Sequence, residues 1–402
     1  MLFDALRVFG SESAALGLTI FLYVLAHTLS LFLTPLAGHA LRNGIRRALS
    51  LAVLSYAFSI LILAAAFTGF FGSAATNAWI GSLGFLVFYA LHRALYYAPF
   101  SVEAGLVGYR THTFTEICLA IIPVAAGLLI TLPGGFFYAL IVGTSLALAS
   151  LVPLRSLPER PERFEWSYGE AFAALLVRNH RRLVWGAIFD GMQAAGLLFF
   201  WPLLLFLLLG GSYLGLGFFI AVTLLLTMLI KHLAHPYIAS SLVWSADTRA
   251  TVALSSWFMR LSAFSPVSAA LADTVYYVGS THRVYALDPL TFDQAADGGS
   301  YMDELTALKE MGYAVGKIII GLLVAGAATT ESYYVLFGVA FVVAAFASLM
   351  SVYLVRSERK TIRYGLKCDG RAMARPRNSS ACSTFLHGSC SHRSRLSRTA
   401  AS

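Results

Sequence analysis

The sequence predicts an all-α polytopic membrane protein built as two pseudo-symmetric helical bundles of about five and six transmembrane helices. Three observations carry this. Hydrophobic residues make up 58% of the chain and charged residues 12%, half the charge of a soluble domain. Apolar runs recur along the chain, each long enough to cross a bilayer core of about 30 Å. The alternation of short barrel strands is absent. Finally, the stretch "HRALYYAPFSVEAG" at 92–105 has a second copy in "HRVYALDPLTFDQAADG" at 282–298. His92–Arg93 falls on His282–Arg283, Pro99 on Pro289, Glu103 on Asp293 and Gly108 on Gly298, without a gap.

The elements follow in order. Helices are expected at roughly 15–37, 48–69, 79–100, 114–132 and 135–153, so residues 1–153 form the N-terminal bundle. A charged stretch, 154–183, is the central loop. Its 164–182 segment is either an amphipathic helix, with Phe172, Leu175 and Leu176 toward the bilayer, or a plain covalent link. Six helices at about 184–209, 212–233, 249–264, 266–288, 305–327 and 332–355 form the C-terminal bundle, 184–355. Residues 356–402 are basic and poor in apolar groups, and are expected to be a disordered cytoplasmic tail.

Charge sets the orientation. The loops "FFGSAATNA", "PGG", "GGS", "SP" and "AATTES" contain no Lys or Arg. The alternate loops carry Arg42, Arg46, Arg47, Arg110, Arg155, Arg178, Arg181, Arg182 and Arg249, which places them in the cytoplasm. The net charge of +9 therefore reflects topology, not a nucleic-acid partner. An odd number of helices leaves the N-terminus outside. The repeat accounts for this: the counterpart of the 184–209 helix would fall on "MLFDALRVFGSES", so the first helix of the first half is expected to be missing or a stub.

Two motifs then point to a family. "GHALRNGIRRAL" lies between the first two helices, and "FWPLLLFLLL" lies in the 184–209 helix. With the two-half layout and the long central loop, the chain resembles the major facilitator superfamily over roughly residues 15–355. Gly38, Arg46 and Arg47 fit that family's cytoplasmic loop signature. Arg42 stands where the family has an aspartate, and Asn43 where it has an arginine.

The resemblance implies two such bundles rocking about a central substrate cavity. It places Tyr89, Arg93 and Tyr96 on one wall, Asp190, Gln193 and Trp201 on a second, and Asp273, Tyr276, Tyr277 and Arg283 on a third. These aromatics serve either packing or binding. Gly38, Arg42, Arg46, Arg47, Glu103 and Asp293 form the expected cytoplasmic gate, the arginines pairing with acids at helix ends. Asp273 and Lys317 are expected to form a buried ion pair or coupling site, since their depths differ by only about 5 Å at the helical rise and neither charge is cheap alone in hydrocarbon.

The implied function is a proton-coupled secondary transporter of a small polar organic solute, monomeric, in the inner (plasma) membrane. The alternative is a transport-inactive truncated paralogue acting as sensor or scaffold. No nucleotide-binding glycine loop or metalloprotease motif is present, so neither an enzyme nor a cofactor is expected. The pair His232/His235 and the tail residues Cys382, His387, Cys390 and His392 are weak metal signals, and no metal is expected.

Overall fold

A computed structural model describes residues 2–9, 11–107, 113–157, 159, 164–240, 246–279, 302–327 and 333–373. The chain divides into two units, Met1–Leu354 and Val355–Ser402.

The described residues are built mainly from helices. A stub, α1 (Leu2–Leu6), precedes α2 (Glu12–Leu41), α3 (Ile45–Phe67), α4 (Ala74–Val107), α5 (Thr113–Thr131), α6 (Gly135–Ala149) and the short α7 (Leu151–Leu154). The loop helix α8 (Tyr168–Ala174) leads to α9 (Arg181–Ala195), α10 (Trp201–Leu208), α11 (Tyr213–Ser240), α12 (Ala246–Leu261), α13 (Pro266–Gly279), α14 (Met302–Ala327) and α15 (Tyr333–Met373). Among the described residues, eight helices are long and apolar enough to cross a membrane, and Ile117–Thr131 is a shorter apolar helix. This is a multi-pass membrane protein.

Packing repeats between the halves. The α3–α4 and α2–α4 pairs have counterparts in α12–α13 and α11–α13. Across the halves, α2 packs on α14 as α5 packs on α11. Glycine permits a close α9–α14 crossing: a Cβ on Gly191 would lie 2.2 Å from the Tyr313 carbonyl oxygen, and one on Gly316 2.0 Å from that of Ile188. The stub α1 is anchored by Phe3 against Phe206, with ring centroids 6.5 Å apart, and by the Tyr213 hydroxyl, which donates to Asp4.

Four expectations change. The helix expected at 79–100 is longer: α4 runs through Pro99 to Val107, carrying Glu103 with it. The loop helix spans only Tyr168–Ala174, shorter than the expected 164–182 segment, and Phe172 packs on Phe32 of α2, centroids 5.7 Å apart. Ser167 caps it, accepting from the Glu170 N–H while the Glu170 carboxylate accepts from the Ser167 N–H. Those hydrogen bonds hold the Glu170 carboxyl below its ordinary range. The 184–209 helix is interrupted by a π-helical stretch at Gly196–Phe200. Pro202 explains it, because a proline lacks the N–H that would bond four residues back. Lastly, α15 continues to Met373. Helix replaces the expected disorder there because the segment is rich in Arg and Lys and meets no proline before Pro376. Residues 374–402, with the tail cysteines and histidines, lie outside the described residues.

Candidate functional site

Polar side chains from both halves converge near the middle of α2, α4, α9 and α14. Arg93 of α4 is 9% exposed and Lys317 of α14 is 2% exposed. The Arg93 guanidinium lies over the Tyr97 ring, 4.6 Å from its centroid. The Lys317 ammonium lies over the Tyr313 ring at 4.3 Å. Both cations are within electrostatic reach of Glu310 and of each other. Among the described residues, neither has a carboxylate at ion-pair distance.

His27 of α2 completes the group. It is 3% exposed, its Nδ1 has no hydrogen-bond partner, and Arg93 and Lys317 are its charged neighbours. Tyr23, one turn earlier, stands edge-on to His27 at 4.4 Å and stacks on Phe199 of the π-helical stretch at 4.0 Å. The first half thus touches the irregular turn of the second beside the polar group.

The expected walls are redistributed. Tyr89 lies within electrostatic reach of Arg93 and Tyr23. Tyr96 turns away: its ring packs with His92 at 5.2 Å and Phe100 at 5.3 Å, and His92 is held by the Ala52 carbonyl at 3.0 Å. Tyr97 takes the expected place of Tyr96, because four residues from Arg93 keeps the same face more closely than three. Asp190 accepts from Ser351 of α15 at 3.0 Å and from Gln193 at 3.4 Å.

The third wall belongs to a different cluster. Arg260 of α12 is 1% exposed. Its guanidinium donates to Asp273 at 2.6 Å and to Ser256 at 3.1 Å. Three rings surround it: Trp257 and Tyr276 with centroids at 4.9 Å and Trp201 at 5.0 Å. The expected Asp273–Lys317 pair therefore does not form. Arg260 reaches Asp273 across the tight α12–α13 turn, and lysine's place is over Tyr313. The side chain of Tyr277, as well as Arg283 and Asp293, lies outside the described residues, as does the side chain of Glu103.

At the arginine-bearing end, the expected gate residues meet the central loop and not helix-end acids. Phe164 is 1% exposed. Its ring fills the space beside Gly38, where a Cβ would come within 2.5 Å of it, and stands edge-on to His39 at 5.3 Å. Arg42 Nε donates to the Phe164 carbonyl at 2.8 Å. The next N–H, of Glu165, donates to Glu304 of α14 at 2.6 Å. One strand of loop thus ties α2 of the first half to α14 of the second. Arg46 pairs with Glu159 at 2.7 Å, and Arg47 lines a surface pocket.

Sequence reasoning missed Tyr23, His27, Tyr97, Glu310, Tyr313, Phe164 and Arg260. Signals existed for some. His27 is a lone titratable residue deep in an apolar run, and Glu310, Tyr313 and Lys317 fall at i, i+3 and i+7 on one helix face. Nothing in the loop singled out Phe164.

Comparison with solved structures follows from this geometry. The crystal structure of a D-xylose-proton symporter matches with TM-score 0.61 at 13% identity, over 87% of this chain and 91% of that one. The human organic anion transporter MFSD10 and the nucleoside transporter NupG align more loosely, with TM-scores of 0.47 and 0.44 at 15% and 13% identity. They cover 88% and 85% of this chain, and 88% and 90% of their own. No protein-family model and no curated protein sequence matches. The fold is of the major facilitator type.

Proposed function

We propose that the chain is a secondary transporter that moves a small polar organic solute across the inner membrane by alternating access, acting as a monomer. The observation that carries this is the group Arg93, Lys317 and His27. Buried charge without a fixed partner is expensive in a membrane and is retained where it has a task. One fold neighbour is a D-xylose-proton symporter, which supports the class and leaves the solute open.

In this reading, Tyr23, His27, Tyr89, Arg93, Tyr97, Tyr313 and Lys317 bind the solute. Asp190 and Gln193 brace that site from α9. Glu310, felt by both cations, takes up and releases the coupling proton. The arginine-rich side is cytoplasmic, and the Phe164 strap with Gly38, Arg42 and Glu304 closes that mouth. Opening it separates α2 from α14 and draws Phe164 from its place.

Reconstituted vesicles test this. Purified protein should catalyse counterflow of at least one solute in a panel of sugars, nucleosides and organic acids. Glu310→Gln should retain counterflow and lose accumulation driven by an imposed pH gradient. Folded protein that moves no solute in the panel, with or without a gradient, would favour a sensor or scaffold and sink the transporter reading.

A further inference from the structure

The surface pocket on the arginine-rich side has a volume of about 330 Å³ and is lined by Arg46, Arg47, Ser50, Leu51, Leu54 and Arg155. It lies outside the strap and the central polar group. Arg46 is committed to Glu159 at 2.7 Å. Arg47 and Arg155 are exposed, and no carboxylate stands at ion-pair distance from either among the described residues. The pocket sits at the first turn of α3, whose N-cap residue Gly44 provides no side-chain cap. The Glu159 carboxylate that pairs with Arg46 lies against Gly44 at that helix end, so Arg47 and Arg155 are the positive charges left to the pocket. Ser50 contributes a hydroxyl.

Below the arginines the wall becomes apolar. Leu51, Leu54, Phe58 and Leu61 are all exposed, and with Arg47 they form one stripe of α3 at i, i+4, i+7, i+11 and i+14. From Arg47 to Leu61 the stripe runs about 21 Å at the helical rise, more than half the hydrocarbon thickness of about 30 Å. A basic cup joined to a long apolar track has the two-part chemistry of a phospholipid.

We propose that this pocket holds the headgroup of an anionic phospholipid of the cytoplasmic leaflet, with one acyl chain laid along Leu51, Leu54, Phe58 and Leu61. The phosphate lies between Arg47 and Arg155, as in other basic pockets between transmembrane helices on the cytoplasmic side. A zwitterionic lipid brings an ammonium against the same arginines and binds less well. This depends on membrane placement alone and holds whether or not the chain transports anything.

The test uses the purified full chain in neutral detergent, titrated with phosphatidylglycerol or chain-matched phosphatidylcholine and read by native mass spectrometry. Retained phosphatidylglycerol should exceed phosphatidylcholine several-fold. Arg47→Gln with Arg155→Gln should bring that several-fold ratio down to about one, since each basic residue adds about a factor of five. The doubly lysine-substituted protein should keep most of it. Arg178→Gln with Arg181→Gln, which removes basic charge elsewhere, should leave it unchanged. Equal retention of the two lipids overturns the proposal. So does a preference indifferent to Arg47 and Arg155, or one lost equally with Arg178 and Arg181. Glycerol phosphate in millimolar excess should not displace the lipid; displacement would mean a site for soluble phosphate.

Discussion

Two buried arginines sit among aromatic rings in this chain, and they are held in opposite ways. Arg260 has a carboxylate at 2.6 Å, a hydroxyl at 3.1 Å and three rings about it. Arg93 has one ring at 4.6 Å, an Nε without a hydrogen-bond partner, and no carboxylate at ion-pair distance among the described residues. Both sit on helices of the same fold. The difference is that Arg260 and its partners all come from the second half, whereas the neighbours of Arg93 come from both halves. A charge satisfied within one bundle staples that bundle and is indifferent to how the halves move. A charge left open where the halves meet is the kind of group that motion and a solute can satisfy in turn.

The comparison breaks most visibly at Asp273. Asp273→Asn leaves the Arg260 charge buried and uncompensated, which costs about 3–5 kcal/mol. Thermal unfolding in detergent should show a large drop in midpoint and a smaller monodisperse fraction. Pairing it with Arg260→Met should recover most of the loss, because the orphaned charge goes too. Should the double variant be as unstable as the sum of the singles, Arg260 and Asp273 are not a unit.

A sharper contrast comes next. Arg93→Met and Lys317→Met each relieve like-charge proximity, so stability should change by about 1 kcal/mol or less. Counterflow should nevertheless fall at least tenfold, as expected when a group that contacts the solute is removed. Unfolding of either variant to the extent seen for Asp273→Asn would make Arg93 and Lys317 structural. Because Asp273 is spoken for, Asp273→Asn and Lys317→Met should have additive effects on stability. A double variant less damaged than the sum would restore the direct pair that the sequence suggested.

A finer contrast concerns the rings. Trp257→Leu removes a face from a dry cation and should cost on the order of 2 kcal/mol beyond lost packing. Tyr97→Leu removes a ring that is itself 37% exposed and should cost about 0.5–1 kcal/mol. Equal losses, measured by thermal unfolding of the two variants side by side, would erase the distinction between the two arginines.

Much of the fold was legible. Long apolar runs, the segregation of arginines to alternate loops and the repeated "HR" segment are local properties of the chain. They suffice for an all-helical, two-half membrane protein because a bilayer admits few other ways to satisfy the backbone. Arg93 and Lys317 were also legible as buried charges, since depth along a helix follows from residue count.

Partners were not legible, for a physical reason. Residue count gives depth and periodicity gives a face, but neither gives the rotation of one helix against its neighbour. Hence Tyr96 was expected beside Arg93 where Tyr97 stands, and Lys317 beside Asp273 where Arg260 stands. The gate shows the same limit. The sequence alone determined that Gly38, Arg42, Arg46 and Arg47 crowd one end of the bundle. Only the tertiary structure decided what meets them: Phe164 lies more than 120 positions from Arg42, and a contact of that range depends on the path of the whole intervening chain.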